Sequence, residues 1–233
     1  MDTVSNITYS VKDLSFSYGK QEVLKGLSFD LHEGKITTLI GANGCGKSTL
    51  FNLMTKNLKP SSGHIELHGK NLADIRLKEL AKQAAIVHQY NIAPADLLVE
   101  KLISYGRTPY HTLGLTPDAK KDEEKVRWAM EITHTEKLKD KPVSELSGGQ
   151  RKRLALAEIL MQPCDILVLD EPTNHLDHAM AAWLEDYLKR WRGSLIMVTH
   201  DRYFLDSVSN RIVELDQGKL YSYHANYSGF LAL

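Results

Sequence analysis

The chain has 233 residues, 42% of them hydrophobic, enough to bury a sizeable core as one large domain or as a core domain with an insert, and this excludes a disordered protein. Lys plus Arg and Asp plus Glu number 29 each, so no whole-protein field draws the chain to nucleic acid or to an anionic membrane surface. Residues 1–6 carry neither a basic start nor an apolar run, and no later apolar stretch nears the roughly 20 residues a spanning helix needs. The expectation is a soluble, intracellular chain whose Cys45 and Cys164 stay thiols, with no disulfide framework or zinc pattern.

Alternating apolar residues over 9–16 and 23–31, separated by Gly19-Lys20, predict two strands of an antiparallel edge region. The apolar strand 36–40 runs into a glycine-rich loop and a helix from Lys47 to about Thr55, a β-loop-α unit. Short strands are expected around residues 65–67 and 84–88, with a helix carrying Leu77, Leu80 and Ala81 between them. From about residue 90 to 145 helical spacing replaces the strand signal, over 97–103 and over 118–132, the latter started by Thr116-Pro117. A helix over 147–161, the strand 166–169, an amphipathic helix with Leu184, Leu188 and Trp191, and the strand 195–199 then resume the α/β alternation. Both of these strands lack charges, as in a mainly parallel sheet covered on both faces.

Gly41-Ala42-Asn43-Gly44-Cys45-Gly46-Lys47-Ser48 matches the phosphate-binding loop pattern in full and stands between a strand and a helix. Its glycines let backbone N–H groups converge on a β-phosphate, Lys47 reaches the β and γ oxygens, and Ser48, followed by Thr49, opens the helix with a hydroxyl for Mg²⁺. Cys45 is either a reactive thiol at a helix N-terminus or simply a small residue filling the loop, the plainer role being favoured. The strand 166–169 ends in Asp170 and Glu171, placed to hold Mg²⁺ through its water shell and to polarise the attacking water, respectively. Leu146-Ser147-Gly148-Gly149-Gln150 starts a helix. Ser147 is a good N-cap, but two glycines behind it cost helix propensity and expose N–H groups, which favours contact with a γ-phosphate over capping alone. Tyr18 is a candidate to stack on adenine or an ordinary strand aromatic. Gln89, ending the strand 84–88, is placed to touch Mg²⁺ or water, and His200, ending the strand 195–199, to hydrogen-bond the γ-phosphate.

Tyr18, the loop 41–48, Gln89, residues 146–150, Asp170-Glu171, Asn174-His175-Leu176-Asp177 and His200 stand in the order of an ABC nucleotide-binding domain, and the resemblance covers essentially the whole chain. It implies an α/β fold with a P-loop NTPase core, a mainly parallel sheet, an antiparallel β edge subdomain and a helical insert, with 1–89 and 147–233 forming the core and 90–146 the helical part. It also implies Mg²⁺-dependent ATP hydrolysis in a head-to-tail homodimer, each ATP lying between one copy's phosphate loop and the Ser147-Gly148-Gly149-Gln150 of the other. To about residue 140, including Leu50-Phe51-Asn52-Leu53, Val87-His88-Gln89 and Ser104-Tyr105-Gly106-Arg107-Thr108-Pro109-Tyr110, the chain resembles the ATPases of importers for iron-siderophores, haem or cobalamin. From about Val143, including residues 147–157, 170–177, 199–205 and Asn226-Tyr227-Ser228, it is similar to the ABC-F class, soluble ATPases that act on ribosomes. It therefore reads as a mosaic, natural or engineered, joined near residues 141–146. The importer resemblance implies membrane permease subunits as partners and a peripheral place on the cytoplasmic face of the cell membrane; the ABC-F resemblance implies the ribosome; and the mosaic leaves as a third reading a recombinant ATPase without any native partner. No long coiled-coil insertion separates Gln89 from Ser147, so a DNA-binding cassette of the SMC type is not expected.

Overall fold

The computed structural model describes residues 6–87, 94, 96–111 and 119–232. In chain order the strands are β1 Ile7–Tyr18, β2 Gln21–His32, β3 Ile36–Ile40, β4 Ser62–Leu67, β5 Lys70–Asn71, β6 Ala84–Val87, β7 Ile166–Asp170, β8 Ser194–Val198, β9 Arg211–Asp216 and β10 Lys219–Tyr223. The helices are α1 Lys47–Met54, α2 Leu77–Gln83, α3 Val99–Tyr105, α4 Ala119–Thr133, α5 Gly148–Leu160, α6 His178–Lys189, α7 Arg202–Val208 and α8 Tyr227–Leu231.

Two sheets form. The hairpin β1–β2 turns at Gly19-Lys20 with Tyr18 opposite Gln21 and, with β4 and β5, builds an antiparallel sheet ordered β2-β1-β4-β5. The second sheet runs β10-β9-β3-β8-β7-β6 and is parallel except for β10, which folds back on β9. Every residue of β7 and β8 is buried, and the two-residue period of a strand divides β7 between two cores. Ile166 and Val168 join Leu39 of β3, Leu50 and Leu53 of α1 and Leu14 of β1, whereas Leu167 and Leu169 pack with Leu184 and Leu188 of α6 and Phe204 of α7. Each buried aliphatic side chain of this kind contributes about 1.5–3 kcal/mol. A third core lies among α3, α4 and α5, where Val99, Ile103, Val126, Ala129, Leu154 and Ala157 meet.

Trp191 departs from the sequence reading: α6 ends at Lys189, and Trp191 lies beyond its C-cap, Arg190. Position 191 continues the apolar spacing of the helix, but the backbone has already turned toward Gly193, where a Cβ would stand 2.1 Å from the Asp165 carbonyl oxygen. Residues 88 and 116–117, included in the sequence reading of one strand end and one helix start, lie outside the described residues. Among the described residues, no helix is long and apolar enough to cross a membrane.

Candidate active site

β3 brings the chain to the loop 41–46, and α1 carries it away. Gly41, Gly44 and Gly46 have φ of 148°, 81° and 109°, a region that side chains rarely enter. A Cβ at Gly41 would lie 2.3 Å from the Leu215 carbonyl oxygen, and one at Gly46 2.7 Å from Leu24 Cδ2, so both ends of the loop are seated too closely for a larger residue. Lys47 Nζ donates to the carbonyl oxygens of Gly41 at 2.8 Å and Ala42 at 2.9 Å, which holds the ammonium across the loop. Cys45 is half-buried and packs against the core between the two sheets.

At the end of β7, Asp170 is buried and Glu171 is 4% exposed. The Glu171 N–H donates to Val198 O at 2.8 Å while its φ is 48°. That left-handed backbone costs a non-glycine residue about 1–3 kcal/mol and is the kind of strain that gathers at functional sites. The His200 backbone N–H donates to Glu171 Oε2 at 3.4 Å, and His200 Nε2 stands 3.4 Å from Oε1. Burial pushes the Glu171 carboxyl above its ordinary range, and His200 opposes the rise.

A cleft of about 530 Å³ collects Tyr18, Asn43, Gly44, Gly46, Lys47, Ser48, Thr49, Asp170, Glu171 and His200. Tyr18 is half-exposed and meets Phe16 edge-on, with ring centroids 4.9 Å apart. Asn174, Gln21 and Val23 line the same cleft. Asn174 belongs to the stretch Asn174-His175-Leu176-Asp177 that follows the carboxylates, whereas nothing in the alternating pattern of β2 singles out Gln21 or Val23. Gln89 lies outside the described residues.

Ser147, Gly148, Gly149 and Gln150 do not line this cleft. Ser147 Oγ accepts from Gln150 N–H at 3.3 Å and Gln150 Oε1 accepts from Ser147 N–H at 2.9 Å, a reciprocal capping box. Capping is thus fully realised, where the two glycines had argued for anion contact over capping. The glycines have a packing reason as well: a Cβ at Gly149 would lie 2.7 Å from the His175 carbonyl oxygen, and His175 itself has φ of 64°. Four residues further, Arg153 pairs with Asp177, the N-cap of α6.

The phosphate loop, the carboxylates after β7 and the capped glycine turn opening α5 define an ATP-binding cassette, and the comparisons with known proteins agree. The sequence profile of the ABC transporter family matches residues 24–174, and the chain belongs to that family as an ATP-binding domain, an ATPase. It is 37% identical over 215 residues to the iron(3+)-hydroxamate import ATP-binding protein FhuC of Bacillus subtilis (strain 168), covering 90% of this chain and 79% of that protein. It is 38% identical over 241 residues to the uncharacterized ABC transporter ATP-binding protein YfmR of the same organism, covering 94% of this chain but only 38% of that protein. Among solved structures it resembles cbiO1 from Clostridium perfringens, part of the ABC transporter complex cbiONQ, with a TM-score of 0.75 at 29% identity over 97% of this chain and 91% of the other. The α/β architecture expected from the sequence is the one these structures share. FhuC and YfmR each align with 90% or more of the chain, so overall coverage does not divide it at residues 141–146.

Proposed function

We propose that the cleft binds ATP with Mg²⁺ and hydrolyses it, and that two copies close head to tail around two nucleotides. The observation that carries this reading is the gathering of Lys47, Ser48, Asp170, Glu171 and His200 on one cleft while Ser147-Gly148-Gly149-Gln150 lie elsewhere, so that a second copy is needed to bring its capped glycine turn to the phosphates. The N–H groups of Gly148 and Gly149 begin a helix and have no intrahelical acceptor, which suits them to that contact. Glu171 is the general base that takes the proton from the attacking water, its raised carboxyl affinity bringing it closer to working pH. His200 holds both the carboxylate and the γ-phosphate, Lys47 and the loop N–H groups neutralise the phosphates, and Tyr18 stacks on the base.

Ser48 and Asp170 offer oxygen donors on the same cleft, and among the described residues no group of three or more His, Cys, Asp or Glu could hold a metal by itself. That donor set fits Mg²⁺, which uses few protein oxygens together with phosphates and water. Bound there by Ser48 and Asp170, it would neutralise charge on the phosphates.

The partner we infer is the permease of a membrane importer for an iron-siderophore or related cargo, with the chain held peripherally on the inner membrane face. The likeness to FhuC at 79% of its length supports it. A second reading, a soluble ATPase acting on the ribosome, rests on the residues from Thr199 to Leu205 and on Asn226-Tyr227-Ser228. Replacing Lys47 by Ala should abolish ATP binding, whereas Glu171→Gln should keep binding, trap an ATP-dependent dimer and slow turnover by about 10²- to 10⁴-fold. Equal loss of binding in both variants refutes the role assignments. Retention on membranes that hold an importer permease, set against cosedimentation with ribosomes, separates the two partners.

A further inference from the structure

Three consecutive basic residues near the start of α5 part ways. Arg151 is exposed and reaches the Ser144 carbonyl oxygen at 3.1 Å, Arg153 pairs with Asp177, and Lys152 between them turns inward until only 6% of it is exposed. Lys152, Leu156 and Ile159 share one helix face by their spacing, and the other two are buried and apolar. A lysine therefore occupies a position whose pattern asks for a hydrophobe.

Its Nζ donates to the backbone carbonyl oxygen of Asp170 at 3.0 Å. Burial pulls the ammonium down to about 8, against the carboxylates of Asp170 and Glu171, which favour its charged form. The acceptor carbonyl belongs to the last peptide before the left-handed turn at Glu171. A methionine of similar length would fill the same space without desolvating a charge, and replacing a buried charge in this way is often neutral or stabilising. Fold stability does not explain a lysine here.

We propose that Lys152 is a positioning residue, which fixes the peptide between Asp170 and Glu171 so that the Glu171 carboxylate faces the cleft, and which joins the first turn of α5 to the end of β7. The inference rests on the reading of Glu171 as the base and of the start of α5 as the contact for the second copy's nucleotide. Under it, a phosphate captured at the start of α5 and the carboxylate serving the chain's own nucleotide are linked through a single side chain. The close seat of Gly149 on His175 and the pair between Arg153 and Asp177 brace the same junction from outside.

The test compares the parent chain with Lys152→Met and Lys152→Gln by steady-state ATPase kinetics, titration with a fluorescent ATP analogue and thermal unfolding. Lys152→Met is expected to unfold at the parent's midpoint or above, to bind nucleotide within about twofold of the parent, and to lose about tenfold or more in kcat, as befits a lost charged hydrogen bond. Lys152→Gln, which keeps a donor without the charge, is expected to recover part of that kcat. The inference is overturned if Lys152→Met keeps the parent kcat, if its kcat, affinity and midpoint fall together, or if Lys152→Gln does no better than Met. A parent that does not hydrolyse ATP, or a Glu171→Gln variant that binds ATP without dimerising, refutes the underlying reading of the site; a parent that turns over and is matched by Lys152→Met refutes the inference alone.

Discussion

Glu158 stands in the last turn of α5, and burial pushes its carboxyl from 4.5 to about 7, with no compensating charge contributing to the shift. Among the described residues no hydrogen bond or ion pair reaches that carboxyl. The folded chain therefore keeps the proton between pH 4.5 and 7 while the unfolded chain releases it, so stability falls as pH rises through this window and levels off above about 7. At about 1.4 kcal/mol per pH unit the full loss amounts to about 3 kcal/mol. Glu158→Gln removes the ionisation at nearly unchanged volume. It should stabilise the chain by up to about 3 kcal/mol at pH 8, which for a chain of this size raises the midpoint by about 6–12 °C. At pH 5 the unfolded carboxyl is only partly ionised and the gain shrinks to below about 1 kcal/mol. Urea unfolding of both proteins at pH 5 and pH 8 measures the difference directly. A Gln variant no more stable than the parent at pH 8, or a gain independent of pH, would show that the carboxyl finds a partner or solvent after all.

The two glycines that open α5 should respond differently to alanine. A Cβ at Gly148 meets only the His175 ring at 3.6 Å, an ordinary contact, whereas at Gly149 it meets a backbone oxygen at 2.7 Å; Gly149→Ala should cost about 1–3 kcal/mol in urea unfolding, Gly148→Ala little, and equal stabilities would refute this. Burial pushes the Cys164 thiol from 9.0 to about 11, so at pH 8 its thiolate fraction is about 100-fold below that of the unfolded chain. In a Cys45→Ser background, labelling by a thiol reagent should be slower than in urea by at least that factor, and a comparable rate would place the thiol at the surface. Ile103→Ala, emptying a fully buried site among α3, α4 and α5, should destabilise by about 2–5 kcal/mol; a loss below 1 kcal/mol in urea unfolding would mean that these helices collapse into the space.

The parts of the fold legible in the sequence are those where local pattern and burial agree. β3, β8 and β7 up to Leu169 announce themselves because each is a short uncharged run buried on both faces, and α1 because a glycine loop precedes it. Beyond His200 that agreement fails. β9 begins at Arg211, buried because its guanidinium donates to Asp30 O at 2.8 Å and to Ser222 Oγ at 3.0 Å, and β10 is largely polar, with Leu220 as its main contribution to the core. Such strands are held by neighbours far away in sequence. The cleft residues supplied by motifs were readable, since the phosphate loop has a fixed spacing of its two glycines, Lys47 and Ser48. Lys152 was not read, because three adjacent basic residues look like a solvated surface until the spacing to Leu156 and Ile159 is counted.

The side chains of residues 104–111 show how closely the stretches on either side of positions 141–146 pack. Gly106 lies so close to α5 that a Cβ would stand 2.8 Å from the Glu158 carbonyl oxygen. Arg107 donates to Asp122 of α4 at 2.7 Å and to Met161 O at 3.0 Å, capping the C-terminal end of the helix whose opposite end carries the glycine turn. Tyr110 lies under that guanidinium, 4.5 Å from ring centroid to Cζ, and its hydroxyl donates to Pro163 O at 3.2 Å. Residues on both sides of positions 141–146 thus share one apolar core and interlocking backbone contacts, at a packing density where a methylene too many is felt. The contacts here tie α5 at both ends, to Arg107 at one and, through Lys152, to the end of β7 at the other.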